Sequence, residues 1–117
     1  MRIAIATDAW APQVNGVVRT LEMTVKLLRE RENEVTVISP DQFRTMPCPG
    51  YGEIRLALAP RFGLRRTLVE FEPDIVHIST EGPIGWSTRR WCMTNEIPFT
   101  TAFHTRFPDY ASVRNGL

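Results

Sequence analysis

The residues of this chain whose types and spacing could do chemistry are Asp8, Asn15, Gly16, Glu81, His104, Arg106, Asp109 and Tyr110, and each lies just beyond an apolar run or at the start of a helical pattern. Asn15 suits a helix N-cap, its side-chain oxygen accepting from an N–H two or three residues on. Gly16 behind it leaves the backbone approachable where the first helical N–H groups have no intrahelical acceptor. A helix start carries roughly half a positive charge, so the pair reads either as a seat for a phosphate or diphosphate or as an ordinary cap and turn. Asp8 could orient a substrate hydroxyl or satisfy loop N–H groups. Glu81, just before Gly82-Pro83, complements the dipole of a following helix with or without a substrate. His104 either faces a cleft or ties down its own loop.

Something must position these groups, and apolar strand-like runs alternate along the chain with helical patterns. Ile3 to Thr7 reads as a first strand. A helix follows, burying Val17, Val18, Leu21, Val25 and Leu28 in one stripe and exposing Arg19, Lys26, Arg29 and Glu30. Glu34 to Ile38 returns as a second strand. Residues 41–52 hold Pro47, Pro49, Gly50 and Gly52 and read as a loop, Glu53 to Ala59 as a third strand, and Leu64, Leu68 and Phe71 mark a short helix. Ile75 to Ser79 suits a buried central strand, Pro83 to about Asn95 a helix with proline in its first turn, and Phe99 to Phe103 a fifth strand. The expected class is α/β, a parallel sheet with helices on both faces. The loops after strands one, four and five then share the carboxyl edge, where such sheets bind ligands, and they carry the polar residues named above.

Composition removes several classes. The 117 residues suit one domain or an incomplete one, with 43% hydrophobic residues available for a core. A net charge of +1 lacks the basic excess of a nucleic-acid binder. No apolar run approaches the about 20 residues a membrane helix needs, and Met1-Arg-Ile-Ala leads straight into a strand without a signal-peptide pattern, so a cytoplasmic protein is expected. Cys48 and Cys92 are too far apart in sequence to frame a disulfide scaffold or zinc site and read as free thiols. His77, flanked by apolar residues, reads as a buried, hydrogen-bonded structural histidine, and Trp86 and Trp91 as core or interface aromatics. Arg61, Arg65 and Arg66 read as a solvated face, the other use of such charge being a lipid-linked acceptor or an anionic membrane surface.

Three segments together carry a resemblance. Asp8-Ala-Trp-Ala-Pro-Gln-Val-Asn-Gly-Val-Val-Arg-Thr20, Val76-His-Ile-Ser-Thr-Glu-Gly-Pro83 and Phe103-His-Thr-Arg-Phe-Pro-Asp-Tyr110 resemble the amino-terminal domain of family 4 glycosyltransferases, bacterial hexosyl- and mannosyltransferases in particular. The resemblance implies a GT-B architecture, in which two Rossmann-like domains face each other across a cleft and a hexose such as mannose or glucose passes from a nucleotide-sugar donor to an acceptor with retention. It places Gly16, with Asn15, on the donor diphosphate and His104 on the transferred sugar, and leaves Asp8, Glu81, Arg106 and Tyr110 for the acceptor side. It implies neither metal nor cofactor, and no Asp-x-Asp pair for a divalent cation is present. It also implies a second, nucleotide-binding domain beyond these 117 residues. The expectation is therefore a truncated first domain, inactive alone, whose partners are the donor, a carboxy-terminal domain and an acceptor that a membrane could supply at its inner surface.

Other classes make different demands. A dinucleotide-dependent oxidoreductase wants Gly-x-Gly-x-x-Gly after the first strand, and this loop has one glycine. A phospho-receiver regulator needs a second aspartate after strand three, where Ala57-Leu-Ala-Pro60 offers none. A partner-binding remnant would be stabilised by docking to a separate second domain.

Overall fold

The computed structural model describes residues 1–9, 16–48 and 51–102. In chain order the elements are β1 (Arg2–Ala6), α1 (Gly16–Glu30), β2 (Glu34–Ile38), a 3-10 turn (Pro40–Gln42), β3 (Thr45–Cys48), β4 (Tyr51–Ala57), α2 (Arg61–Phe71), β5 (Ile75–Ile78), α3 (Pro83–Asn95) and β6 (Phe99–Thr101). Four strands form a parallel sheet in the order β2-β1-β5-β6.

The alternation of β1 sorts the core into two layers. Ile3 and Ile5 pack with Leu21 and Val25 of α1 and with Val35 on one face. Ala4 and Ala6, fully buried, join Leu64 and Leu68 of α2 and Ile84 and Cys92 of α3 on the other. Small alanines there let two helices approach the same strand. Of the stripe expected on α1, Val18, Leu21 and Val25 are buried and Leu28 half-buried, and the Val17 side chain lies outside the described ones. Each buried aliphatic contributes about 1.5–3 kcal/mol relative to exposure, enough to hold a helix whose own propensity would not.

Two expectations change. Thr45–Cys48, read as part of a loop, is a strand paired antiparallel with β4, and the strand expected at Glu53–Ala59 runs Tyr51–Ala57 within this hairpin, outside the parallel sheet. Pro47 misled the reading because proline cannot donate to a ladder. It is tolerated in β3 because a two-stranded ribbon has only edges, and the pairing register shifts between Pro47 and Cys48. The third strand of the parallel sheet is therefore Ile75–Ile78.

Arg2 fastens the amino edge. Its N–H donates to Asp74 Oδ2 at 2.7 Å and its Nε–H to the Phe71 carbonyl at 2.7 Å, its guanidinium lies 4.4 Å from the Phe71 ring centroid, and it pairs with Glu34. The end of α2 is thereby tied to the starts of β1 and β2. None of the three described α-helices is followed by glycine. Glu32, Glu72 and Glu96 instead adopt the left-handed conformation after α1, α2 and α3, with φ of 66°, 54° and 56°.

Candidate functional site

From β1 the chain passes through α1, on one face, to β2; from β5 it passes through α3, on the opposite face, to β6. Since β1 and β5 are neighbours and the two connections diverge, the topological switch point lies between their carboxyl ends. Open parallel sheets bind ligands in the crevice at that point. The starts of both α1 and α3 face this edge, so two positive dipole ends converge on it.

The two ends differ. Asp8, 8% exposed, sends its carboxylate to the first turn of α3, Oδ1 accepting from the Ile84 N–H at 2.8 Å and Oδ2 from the Gly85 N–H at 3.2 Å. The Thr80 hydroxyl donates to Oδ2 at 2.8 Å and accepts the Asp8 N–H at 2.6 Å. The N-cap residue Gly82 has no side chain to offer and Pro83 no N–H, so the capping carboxylate comes from across the sheet. Gly82 is required by this arrangement, for a Cβ there would lie 2.5–2.7 Å from the Asp8 carboxylate. Gly85 is required too, since its Cβ would collide with the Thr80 carbonyl. Burial raises the Asp8 pKa above its usual 3.8, outweighing the opposing hydrogen bonds from Ile84, Thr80 and Gly85.

At α1 no described side chain plays the part that Asp8 plays at α3. Gly16 is its exposed first residue, the first turn contains no acidic residue, and a Cβ built on Gly16 meets no described atom within 4 Å. Among the described residues neither packing nor a left-handed backbone demands glycine there.

Asp8 thus holds the loop after β5 and the start of α3. Glu81 is exposed beside the α3 start. Asn15, His104, Arg106, Asp109 and Tyr110, and Phe103, to which the fifth strand was expected to run, lie outside the described residues. His77 is a half-buried cross-strand tie, its Nδ1 2.8 Å from Thr100 Oγ1, and burial lowers its pKa below 6.5. Cys92 is a free buried thiol whose pKa is pushed up to about 11. Trp91 packs on the core, whereas Trp86 is 60% exposed. Among the described residues no group of three or more His, Cys, Asp or Glu side chains could hold a metal, and no helix is long and apolar enough to cross a membrane. Sequence reasoning passed over Thr7, fully buried, whose hydroxyl accepts the Ala9 N–H at 3.0 Å, and Thr80; hydroxyl residues within two positions of the ends of two neighbouring strands were the signal available.

The sequence pattern of Glycosyltransferase Family 4 matches residues 14–117. The chain is 26% identical over 129 residues to a GDP-mannose-dependent alpha-mannosyltransferase of Mycobacterium tuberculosis, a match covering 96% of this chain and 34% of that one. It is 27% identical over 110 residues to the sulfoquinovosyl transferase SQD2 of Arabidopsis thaliana, covering 83% and 22%. With the alpha-monoglucosyldiacylglycerol synthase of Acholeplasma laidlawii it shares 30% identity over 125 residues, covering 94% and 31%. The chain spans about a third or less of the length of these relatives. No solved structure matches it significantly.

Proposed function

Because the chain belongs to glycosyltransferase family 4, we propose that it is the amino-terminal, acceptor-side domain of an enzyme that moves a hexosyl group from a nucleotide sugar to an acceptor with retention. The observation that carries this reading is the difference at the switch point: Asp8 caps the start of α3, whereas the first turn of α1 holds no acidic residue and no described atom lies within 4 Å of a Cβ built on Gly16. A donor diphosphate suits a helix start at the switch point whose first turn holds no carboxylate.

Departure of a nucleoside diphosphate develops negative charge, which fixed N–H donors stabilise without reorganising. The Gly16 amide and the α1 dipole supply part of that stabilisation. The remainder is assigned to the basic residues of a carboxy-terminal domain facing this edge, so the 117 residues alone bind without turning over. His104 contacts the transferred sugar. Glu81, Arg106 and Tyr110 belong to the acceptor side, with Asp8 acting through the position of α3 rather than by touching the acceptor. Mannose and glucose are the sugars to try first, given the names of the relatives.

A receiver-type regulator fits less well. The third strand of the parallel sheet is followed by Ser79-Thr80, so no aspartate stands where the phosphorylated one would be needed.

The test is release of nucleoside diphosphate from a panel of nucleotide sugars by this domain joined to a family 4 carboxy-terminal domain, with lipid and soluble acceptors. Consumption of one donor supports the reading, with turnover strongly lowered by His104→Ala while the fold is kept. Consumption of none with any acceptor class overturns it.

A further inference from the structure

β2 bounds one side of the parallel sheet, and among the described residues no strand lies beyond it. An edge strand offers its outward N–H and C=O groups to any other strand that meets it. Which groups of β2 point outward follows from its ladder with β1. The Glu34 N–H donates to the Met1 carbonyl at 3.0 Å at one end, and the Ile38 carbonyl accepts the Thr7 N–H at 2.9 Å at the other. In a parallel strand both backbone groups of a residue lie on the same side, and that side alternates from one residue to the next. Glu34, Thr36 and Ile38 therefore face β1, and Val35 and Val37 face outward.

Both outward carbonyls are already taken. Arg29, in the last turn of α1, donates through Nη2 to the Val35 carbonyl at 2.9 Å. Gln42, ending the 3-10 turn after β2, donates through Nε2 to the Val37 carbonyl at 2.7 Å. The two side chains come from the elements before and after the strand, and each occupies the edge along which an added strand would run. The ladder to β1 runs the whole length of β2 without them, and both residues are exposed, with water at hand to satisfy their donors.

The strand that fits this edge best is β2 itself. Two copies related by a two-fold axis through Thr36 pair antiparallel, with Val35 of each opposite Val37 of the other and Thr36 opposite Thr36. Opposed residues that exchange both N–H···O bonds alternate with residues that exchange none, so the two valine pairs carry all the bonds at the centre of this pairing. Every one of those bonds is accepted by a Val35 or Val37 carbonyl, the groups that Arg29 and Gln42 cover. The side chains suit the pairing as well. The centre is the β-branched run Val35-Thr36-Val37, and Glu34 falls opposite Ile38 rather than opposite a like charge.

We propose that Arg29 and Gln42 hold the β2 edge shut against a second copy of this chain, so that removing their donors turns β2 into a self-pairing surface. The claim is independent of the transfer reading, since no donor or acceptor enters it.

The experiment is sedimentation equilibrium of the 117-residue chain up to about millimolar concentration, with amide hydrogen exchange followed residue by residue. The wild-type chain is expected to be monomeric, with fast exchange at Val35 and Val37. Arg29→Met with Gln42→Met keeps the apolar stems and removes the donors. It is expected to dimerise, with exchange at Val35 and Val37 slowed about tenfold or more, while Thr36, already paired to β1, is unchanged. Gln42→Met alone uncovers only the Val37 carbonyl, so half the bonds form and the dimer is about tenfold weaker. Gln42 is exposed in a short turn, so this single variant keeps the fold and tests the claim on its own. Arg29→Lys retains a donor and stays monomeric. A wild-type chain already paired through Val35 and Val37 overturns the proposal, as do folded Met variants that remain monomeric. So does a dimer whose Val35 and Val37 amides still exchange fast, or one that Arg29→Lys forms as readily as the double Met variant.

Discussion

Asp8 and Thr80 exchange two hydrogen bonds across the gap between β1 and β5: the Asp8 N–H reaches Thr80 Oγ1 at 2.6 Å, and the same hydroxyl returns to Asp8 Oδ2 at 2.8 Å. With its remaining capacity the carboxylate caps α3. One side chain therefore sets the separation of the two strands at the ligand-binding edge and the position of the helix that bounds it.

Asp8→Ala is expected to cost about 2–4 kcal/mol, because the Ile84 and Gly85 N–H groups, both in buried hydrogen bonds, lose their acceptor. Asp8→Asn should cost about half as much, since one amide oxygen still accepts from Ile84. Urea unfolding checks both. Burial raises the folded pKa of Asp8 above 3.8, so the folded state holds this proton more tightly than the unfolded chain. The stability Asp8 contributes relative to asparagine is then largest below pH 3.8, falls as pH rises through the folded pKa, and is constant above it.

The opposite sign holds at His77. Burial lowers its folded pKa below 6.5, so the unfolded chain binds the proton more readily, and the contribution of a neutral His77 is complete above pH 6.5 and lost as pH falls through the window below it. In wild type the urea midpoint should decline on acidification through this range more steeply than in His77→Gln. Parallel profiles would contradict the assignment.

Glu96→Gly should raise stability by about 1 kcal/mol. A non-glycine residue in the left-handed region costs about 1–2 kcal/mol, and an acidic side chain at a helix carboxyl end is repelled by the dipole, against about 0.5–1 kcal/mol of added unfolded-state entropy for glycine. Thermal unfolding reads the change.

Much of this fold was legible because local and tertiary signals agree. The α1 stripe, Glu34–Ile38 and Pro83–Asn95 fall where periodicity and punctuation put them, since packing against the sheet demands the pattern the sequence displays. The β3–β4 hairpin was not legible, because Pro47 carries a loop signal that only an unshared ribbon edge overrides. The role of Asp8 was half legible. An aspartate after a strand announces loop N–H groups, but its acceptors and donors at Thr80, Ile84 and Gly85 lie over seventy residues away. Gly82 and Gly85 read as turn and helix residues, whereas their need is steric and created by that same distant contact.

Gly16→Val should leave stability within about 1 kcal/mol, since the new Cβ meets no described atom, yet abolish nucleotide-sugar binding by covering the start of α1. Paired thermal unfolding and titration calorimetry on the two-domain enzyme check this. Retained affinity would place the diphosphate elsewhere.

The most direct measurement is a 15N-resolved NMR titration of the 117-residue chain with a nucleoside diphosphate, following the amides of Gly16, Ile84 and Gly85. The Gly16 amide is expected to shift in a saturable way while those of Ile84 and Gly85, held by Asp8, stay in place. Saturable shifts confined to Ile84 and Gly85, or none at Gly16, would contradict the assignment of α1 as the open anion seat.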